Sequence, residues 1–176
     1  MTVCEDMDVS EGILKVVIDH QKSLQPIELY RDLRQGDVRL VQFIPLIKRD
    51  EAGNLTAESV TPEGWGQFLN TIFDIWVRED INRVSIQLFD KTLRRWCGLT
   101  VQIERQSTSP QSARCRSCSL SQFYRGDCPV HGDTHGENVL CAGYQAFFEH
   151  SSPHMRVMRD LIKQHRSPME LMAMLR

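Results

Sequence analysis

The chain has 176 residues, 41% hydrophobic and 25% charged, with a net charge of −2. That is the make-up of an ordinary globular protein, one domain or one domain with an appendage, and it carries no whole-chain electrostatic footprint for nucleic acid. No apolar run nears the roughly 20 residues that cross a bilayer. The acidic start MTVCEDMDVSEG lacks the apolar core of a signal peptide. The expected compartment is therefore the cytoplasm, where six cysteines stay reduced and serve metal binding or burial rather than disulfides.

The elements follow in chain order. Leu14–Ile18 (LKVVI) is short, apolar and rich in β-branched residues, the pattern of a buried strand. Pro26 opens a short helix, IELYRDL, and Gly36 is its expected stop. Val38–Ile47 (VRLVQFIPLI) is apolar on both alternating faces, as in a strand covered on both sides, with Pro45 ending its ladder. The polar stretch 49–59 holds Gly53-Asn54 and predicts a loop.

The clearest helix comes next. Thr61 caps it and Pro62 takes its first position. Trp65, Phe68, Leu69, Ile72, Phe73 and Trp76 recur at steps of three and four, a core stripe rather than a cofactor platform. Asp80 and Asn82 mark its end, and Val84–Phe89 (VSIQLF) predicts another strand. The first half thus reads strand–helix–strand–helix–strand, which implies parallel pairing with right-handed crossovers. About three strands are too few to close a (β/α) barrel.

Composition then shifts. Residues 105–121 are rich in Ser, Arg and Gln and have little to bury, and the cysteine segment that follows is loop-like. Order returns at Val139. Ser152-Pro153 predicts the start of an amphipathic helix with Met155, Met158, Leu161 and Ile162 on one face, and Ser167-Pro168 that of another, MELMAML.

The cysteines carry the chemistry. Cys115, Cys118, Cys128 and His131 form C-x2-C-x9-C-x2-H, four ligands of the types that zinc accepts tetrahedrally, with Cys141 and His135 in reserve. Cys115, Cys118, Cys128 and Cys141 equally supply the four thiolates of an iron–sulfur cluster. Cys4 lies in a frayed terminus, and Cys97 reads as a buried small hydrophobe. His20, His150, His154 and His165 fall at element ends as solvated or capping residues. Arg105, Arg114, Arg116 and Arg125 form a modest basic patch, read as a solvated face. No helix-turn-helix accompanies it.

Five blocks, QFIP (Gln42–Pro45), VTPEGWGQFLNTIFDIWV (Val60–Val77), QLFD (Gln87–Asp90), CRSC (Cys115–Cys118) and LCAGYQAFF (Leu140–Phe148), resemble successive blocks of the anaerobic sulfatase-maturating enzymes. These are radical S-adenosylmethionine (SAM) enzymes, whose homologues include proteins labelled arylsulfatase regulators. The resemblance implies an α/β fold: a partial (β/α) barrel fragment over 1–98, a degenerate auxiliary iron–sulfur (SPASM-like) segment over 99–150, and C-terminal helices over 151–176. It implies a relative of enzymes that oxidise a cysteine or serine of a sulfatase to formylglycine.

Three departures qualify it. The family's C-x3-C-x2-C, which binds the SAM-cleaving cluster, is absent, so the resemblance describes a truncated member for which SAM binding and catalysis by the chain alone are not expected. Only about 25 residues separate Asp90 from Cys115, where the family places most ligands of its first auxiliary cluster and a proton-removing aspartate. In the family's next motif, C-x2-C-x5-C-x3-C and a distant cysteine, the third position is Tyr124. The carry-over assigns Cys115, Cys118 and Cys141 to one [4Fe-4S] cluster with a ligand missing. It leaves Cys128 from a neighbouring cluster, and Cys128, His131 or Tyr124 as the substitute ligand. Zinc is the alternative metal, in a module that acts through interaction or transcriptional regulation. The expected partners are a sulfatase or another maturase-like chain and no membrane; nucleic acid stays open only through the regulatory alternative, which is linked to a sulfatase system.

Overall fold

The computed structural model describes residues 7–10, 12–36, 38–99 and 138–176. A sheet in the order β1-β2-β3-β4 comprises Met7–Ser10, Ile13–Ile18, Leu40–Pro45 and Ser85–Ile86. The last three strands are parallel, with Leu14 beside Val41, Ile18 beside Pro45, and Leu40 beside Ser85. Helices α1 (His20–Ser23), α2 (Pro26–Gln35), α3 (Pro62–Glu79), α4 (Gln87–Trp96), α5 (Cys141–Lys163) and α6 (Glu170–Met174) complete the fold.

Alternation sorts the two faces of the sheet. Leu14, Val16 and Ile18 of β2 are buried, while Ile13, Lys15 and Val17 are half-buried on the opposite face. In β3, Val41 is fully buried and Phe43 meets Phe68 of α3 edge to face, with ring centroids 5.2 Å apart. The helix-covered face therefore holds the core, and the other face carries Lys15, Gln42 and Ser85 among aliphatic neighbours. The expectation that β3 is buried on both sides holds for one side only, since Leu40, Gln42 and Ile44 are half-buried.

The helices form where caps and stripes dictate. The Asp19 carboxylate accepts from Lys22 N at 2.8 Å and caps α1. Thr61 Oγ1 accepts from Gly64 N at 3.0 Å, a cap worth about 1 kcal/mol. The expected stripe from Trp65 to Trp76 is buried along its whole length. The indole of Trp76 donates to Val84 O at 2.7 Å, pinning the turn after α3. Asn82 in that turn takes φ 62°, a conformation asparagine tolerates better than most residues.

Four sequence expectations are corrected. The acidic N-terminal stretch contains β1, which pairs antiparallel with β2. VSIQLF is not one strand: pairing stops after Ile86, and QLFD opens α4. Phe89, Leu93 and Trp96 follow one another at steps of four and three, a helical spacing that overrides the short alternating run. Ser152-Pro153 does not start a helix, because α5 runs unbroken through Pro153. Proline costs about 3 kcal/mol inside a helix. The buried stripe of Phe147, Phe148, Ser151, Met155 and Met158 on either side offsets it, and Ser152 Oγ bonds back to Phe148 O. Finally, Ile162 is 37% exposed, and the inward face belongs to Met155, Met158 and Leu161.

α5 lies parallel to both α3 and α4. Its first turns meet the first turns of α3 at Gly143 and Gly66, and further along His150 meets Asp74. Phe147 stacks on Phe89 near the start of α4, and Arg159 reaches Trp96 at its end. One buried cluster extends from Leu14 in β2 to Leu171 in α6.

Candidate functional site

The parallel strands end at Ile18 and Pro45, and the loop 46–60 closes over that end. Leu46 N donates to Ile18 O at 2.8 Å, His20 N to Glu58 O at 2.9 Å and Val60 N to Leu46 O at 3.1 Å. α3 starts there. Because α5 is parallel to α3, its N-terminus and Cys141 stand at the same end. Sites in (β/α) folds form at this carboxyl end of the sheet.

The approach of α5 to α3 is set by glycine. A Cβ on Gly143 would lie 2.3 Å from Pro62 O and 3.0 Å from Gly66 N. Backbone therefore touches backbone, and the first turn of α5 cannot shift without breaking that contact. Leu140, fully buried, anchors the residue before the helix. The buried Asn138 accepts Leu140 N through Oδ1 at 2.8 Å and Cys141 N through its carbonyl at 3.0 Å.

Cys141 is half-buried, with Gln145 Nε2 3.6 Å from its sulfur. An amide donor and a helix N-terminus both favour negative charge on a thiol, which is what a metal ligand requires.

Cys97 lies elsewhere. It caps the end of α4, where Lys163 and Arg159 act on its thiol, although burial is the larger influence and raises its pKa. Lys163 and Arg159 are 22 and 18 positions along α5 from Cys141, or about 33 and 27 Å at 1.5 Å per residue. Cys97 and Cys141 cannot share a metal centre. Cys97 is half-buried, in keeping with a small hydrophobe.

Cys4, Cys115, Cys118, Tyr124, Cys128, His131 and His135 lie outside the described residues, as does the basic patch Arg105, Arg114, Arg116 and Arg125. Among the described residues, no three His, Cys, Asp or Glu side chains gather in a way that could hold a metal, and no helix is long and apolar enough to cross a membrane. Of the expected cluster ligands, Cys141 alone is placed.

The sequence reading missed two sets of polar groups. On the open face of the sheet, Lys15 neighbours Gln42 across the strands, and Ser85 donates to Asp90. Burial raises the Asp90 pKa, against the lowering influence of Ser85 and Arg94. The alternation of β2 was the available signal, since Lys15 falls between buried Leu14 and Val16. His150 and His154, expected at element ends, sit one turn apart within α5. His150 bonds Asp74 across to α3 at 2.7 Å, and burial lowers the His154 pKa.

No protein-family model matches the chain. It is 50% identical over its full 176 residues to the uncharacterized protein YidF of Escherichia coli K12, and covers all of that protein. It is 25% identical to a serine-type anaerobic sulfatase-maturating enzyme of Bacteroides thetaiotaomicron, over 91% of this chain but 56% of the enzyme. A 62-residue stretch is 32% identical to the Klebsiella pneumoniae enzyme of the same description, 35% of this chain and 16% of the enzyme.

The chain therefore spans about half the length of the Bacteroides enzyme. That match runs over 233 positions, whereas 91% of 176 residues is about 160, so the enzyme has roughly 70 residues in the matched region with no counterpart here. The fold is that of solved anSMEcpe with bound AdoMet. The TM-score is 0.66 at 17% identity, covering 83% of this chain and 54% of that one. The complex that also holds a Cp18Cys peptide gives 0.64. The chain belongs to one family with YidF, and it is a homologue of the anaerobic sulfatase-maturating enzymes that matches part of their length.

Proposed function

We propose that this chain is a maturase-like iron–sulfur protein that does not carry out radical SAM chemistry by itself. It holds one [4Fe-4S] cluster through Cys115, Cys118 and Cys141, with Cys128, His131 or Tyr124 as the fourth ligand, and works in the cytoplasm beside a sulfatase or another maturase-like chain. The observation that carries the reading is the placement of Cys141. Two blocks shared with the maturases, WGQFLNTIFDIW and LCAGYQAFF, dock through Gly66 and Gly143 and set that thiol at the carboxyl end of the sheet. Its half-burial and the nearby Gln145 amide fit a thiolate ligand. The absence of C-x3-C-x2-C from the sequence supports the lack of SAM cleavage by this chain.

Anaerobic purification followed by reconstitution with ferrous iron and sulfide tests the reading. The expected result is a brown protein with about four irons and four sulfides per chain, and better loading in Tyr124→Cys. A protein that stays colourless and iron-free overturns it. The spacing of Cys115, Cys118, Cys128 and His131 supports the alternative of a zinc-stabilised interaction or regulatory module. About one zinc per chain without sulfide is the result that would favour it.

A further inference from the structure

The ends of α4 and α5 gather positive charge. Residues 91–99 and 156–163 hold six Lys or Arg against one acid, Asp160, a charge of +5 in a chain whose total is −2. Cations in the last turn of a helix offset its macrodipole, which accounts for Arg94, Arg95 and Lys163. It does not account for Arg156 and Arg159, which precede the last turn of α5. Both guanidiniums lie over the ring of Trp96, with Cζ 5.9 and 5.6 Å from its centroid. Two like charges thus share one indole, and of the two Arg159 has a carboxylate, Asp160 at 2.7 Å. Arg156 and Lys163 are exposed, and among the described residues no acid pairs with either. Lys163 belongs to the same group, since it and Arg159 both act on the thiol of Cys97, the residue after Trp96.

Apolar side chains accompany these cations. Leu99, whose N–H bonds Arg94 O at 3.0 Å, is 59% exposed, and Ile162, next to Lys163, is 37% exposed. Arginine and tryptophan beside exposed aliphatics is the composition of a protein–protein interface, whereas surfaces that bind nucleic acid are more polar. From Arg156 to Lys163 the patch runs about 10 Å along α5, which matches a few residues of extended peptide.

We infer that this end of α4 and α5 docks an acidic, partly apolar segment of a partner protein, with its carboxylates on Arg156 and Lys163 and its apolar side chains on Leu99 and Ile162. Stacking on Trp96 holds Arg156 in place beforehand, so less side-chain freedom is lost on docking. The inference does not depend on the iron–sulfur reading above.

Fluorescence anisotropy with a labelled peptide of about eight Glu and Leu residues tests it at low salt, where attraction between exposed charges is least screened. The expected result is saturable binding that weakens about tenfold in the pair Arg156→Glu with Lys163→Glu. The pair Arg31→Glu with Arg49→Glu makes the same change of charge at exposed positions on α2 and the loop 46–60, and should bind as wild type does. Absence of binding, or an equal loss in both pairs, overturns the inference. A single-stranded oligonucleotide of the same length that binds more tightly than the peptide also overturns it, in favour of a nucleic-acid surface. So does self-association of the protein alone that the first pair abolishes, in favour of a second copy of this chain. Should the first pair fail to melt cooperatively, Arg156→Gln with Lys163→Gln replaces it, and unchanged affinity in that variant overturns the inference.

Discussion

Gly66 of α3 and Gly143 of α5 are in backbone contact. A Cβ at Gly66 would stand 3.1 Å from Gly143 Cα, and one at Gly143 would stand 2.3 Å from the carbonyl of Pro62. The two glycines belong to different sequence blocks some 75 residues apart, and their contact couples the first turn of α5 to the helix-covered core. In an open helix, glycine to alanine is stabilising by up to about 1 kcal/mol. Here the methyl group meets a backbone oxygen that cannot rotate away. Gly143→Ala is expected to destabilise the protein by about 1–3 kcal/mol as an overpacking change. A urea melt measures it, and a mutant as stable as wild type would show that α5 moves freely on α3.

The cysteines separate by position. Cys141→Ser is expected to reduce iron loading severalfold, since serine retains size and polarity but is a poor ligand for an iron–sulfur cluster. Cys97→Ser is expected to leave loading unchanged, because Cys97 sits with Arg159 and Lys163 at the opposite end of α5. Iron and sulfide assays on the two purified variants check the pair. Equal losses in both would place Cys97 in the centre and contradict the separation set by the helix.

Much of the scaffold was legible because its signals are local. Thr61 and Pro62 announce α3, and a six-residue aromatic and aliphatic stripe announces its buried face. β2 and β3 were visible for the same reason, as runs of β-branched residues. What escaped depends on distant partners. β1 looks like an acidic tail until β2 pairs with it. QLFD is short enough to fit either period, and only the arrival of Phe147 on Phe89 makes its helical face matter. Pro153 broke the sequence pattern of α5, yet buried residues on both sides hold the helix through it. As for the site, the spacing of cysteines offered Cys141 as a reserve zinc ligand or one of four cluster thiolates, and the family resemblance is what assigned it to a cluster. That Cys97 lies about 30 Å away required the length of α5.

The end of α3 is fastened by a buried carboxylate. Asp80, 1% exposed, accepts from Tyr30 Oη at 2.9 Å and pairs with Arg34 Nε at 3.1 Å, tying α2 to α3. Burial first, then the charge of Asp80, pushes the Tyr30 pKa well above the ordinary tyrosine range. The phenol thus loses its proton more readily in the unfolded chain, and the stability it supplies is complete below about pH 10 and falls as pH rises beyond it. Tyr30→Phe is expected to cost about 1–2 kcal/mol at neutral pH, because Asp80 loses a donor but keeps Arg34. It should also flatten the alkaline limb of the stability curve. Denaturant melts at pH 8 and pH 11 on both proteins test this, and an alkaline slope unchanged by the mutation would assign it to other groups.

Asp90 shows the opposite relation between burial and benefit. Asp90, in the first turn of α4, is half-buried with Ser85 as its donor, and burial outweighs Ser85 and Arg94 in raising its pKa. A raised carboxyl pKa means that the folded protein holds this proton more tightly than the unfolded chain. The group therefore favours folding below the ordinary aspartate value of about 4, and that contribution is lost as pH rises through the folded pKa. At pH 7 the ionised carboxylate costs stability. Asp90→Asn keeps an oxygen acceptor for Ser85 and removes the charge, so it should raise the urea midpoint at pH 7 by an amount equivalent to about 0.5–1.5 kcal/mol. The advantage should shrink as pH falls toward and below the ordinary aspartate range, where the wild-type carboxyl takes up its proton. A variant less stable than wild type at pH 7 would mean that the carboxylate has a stronger partner than Ser85, and would point to Lys15 on the same face of the sheet as the first group to mutate.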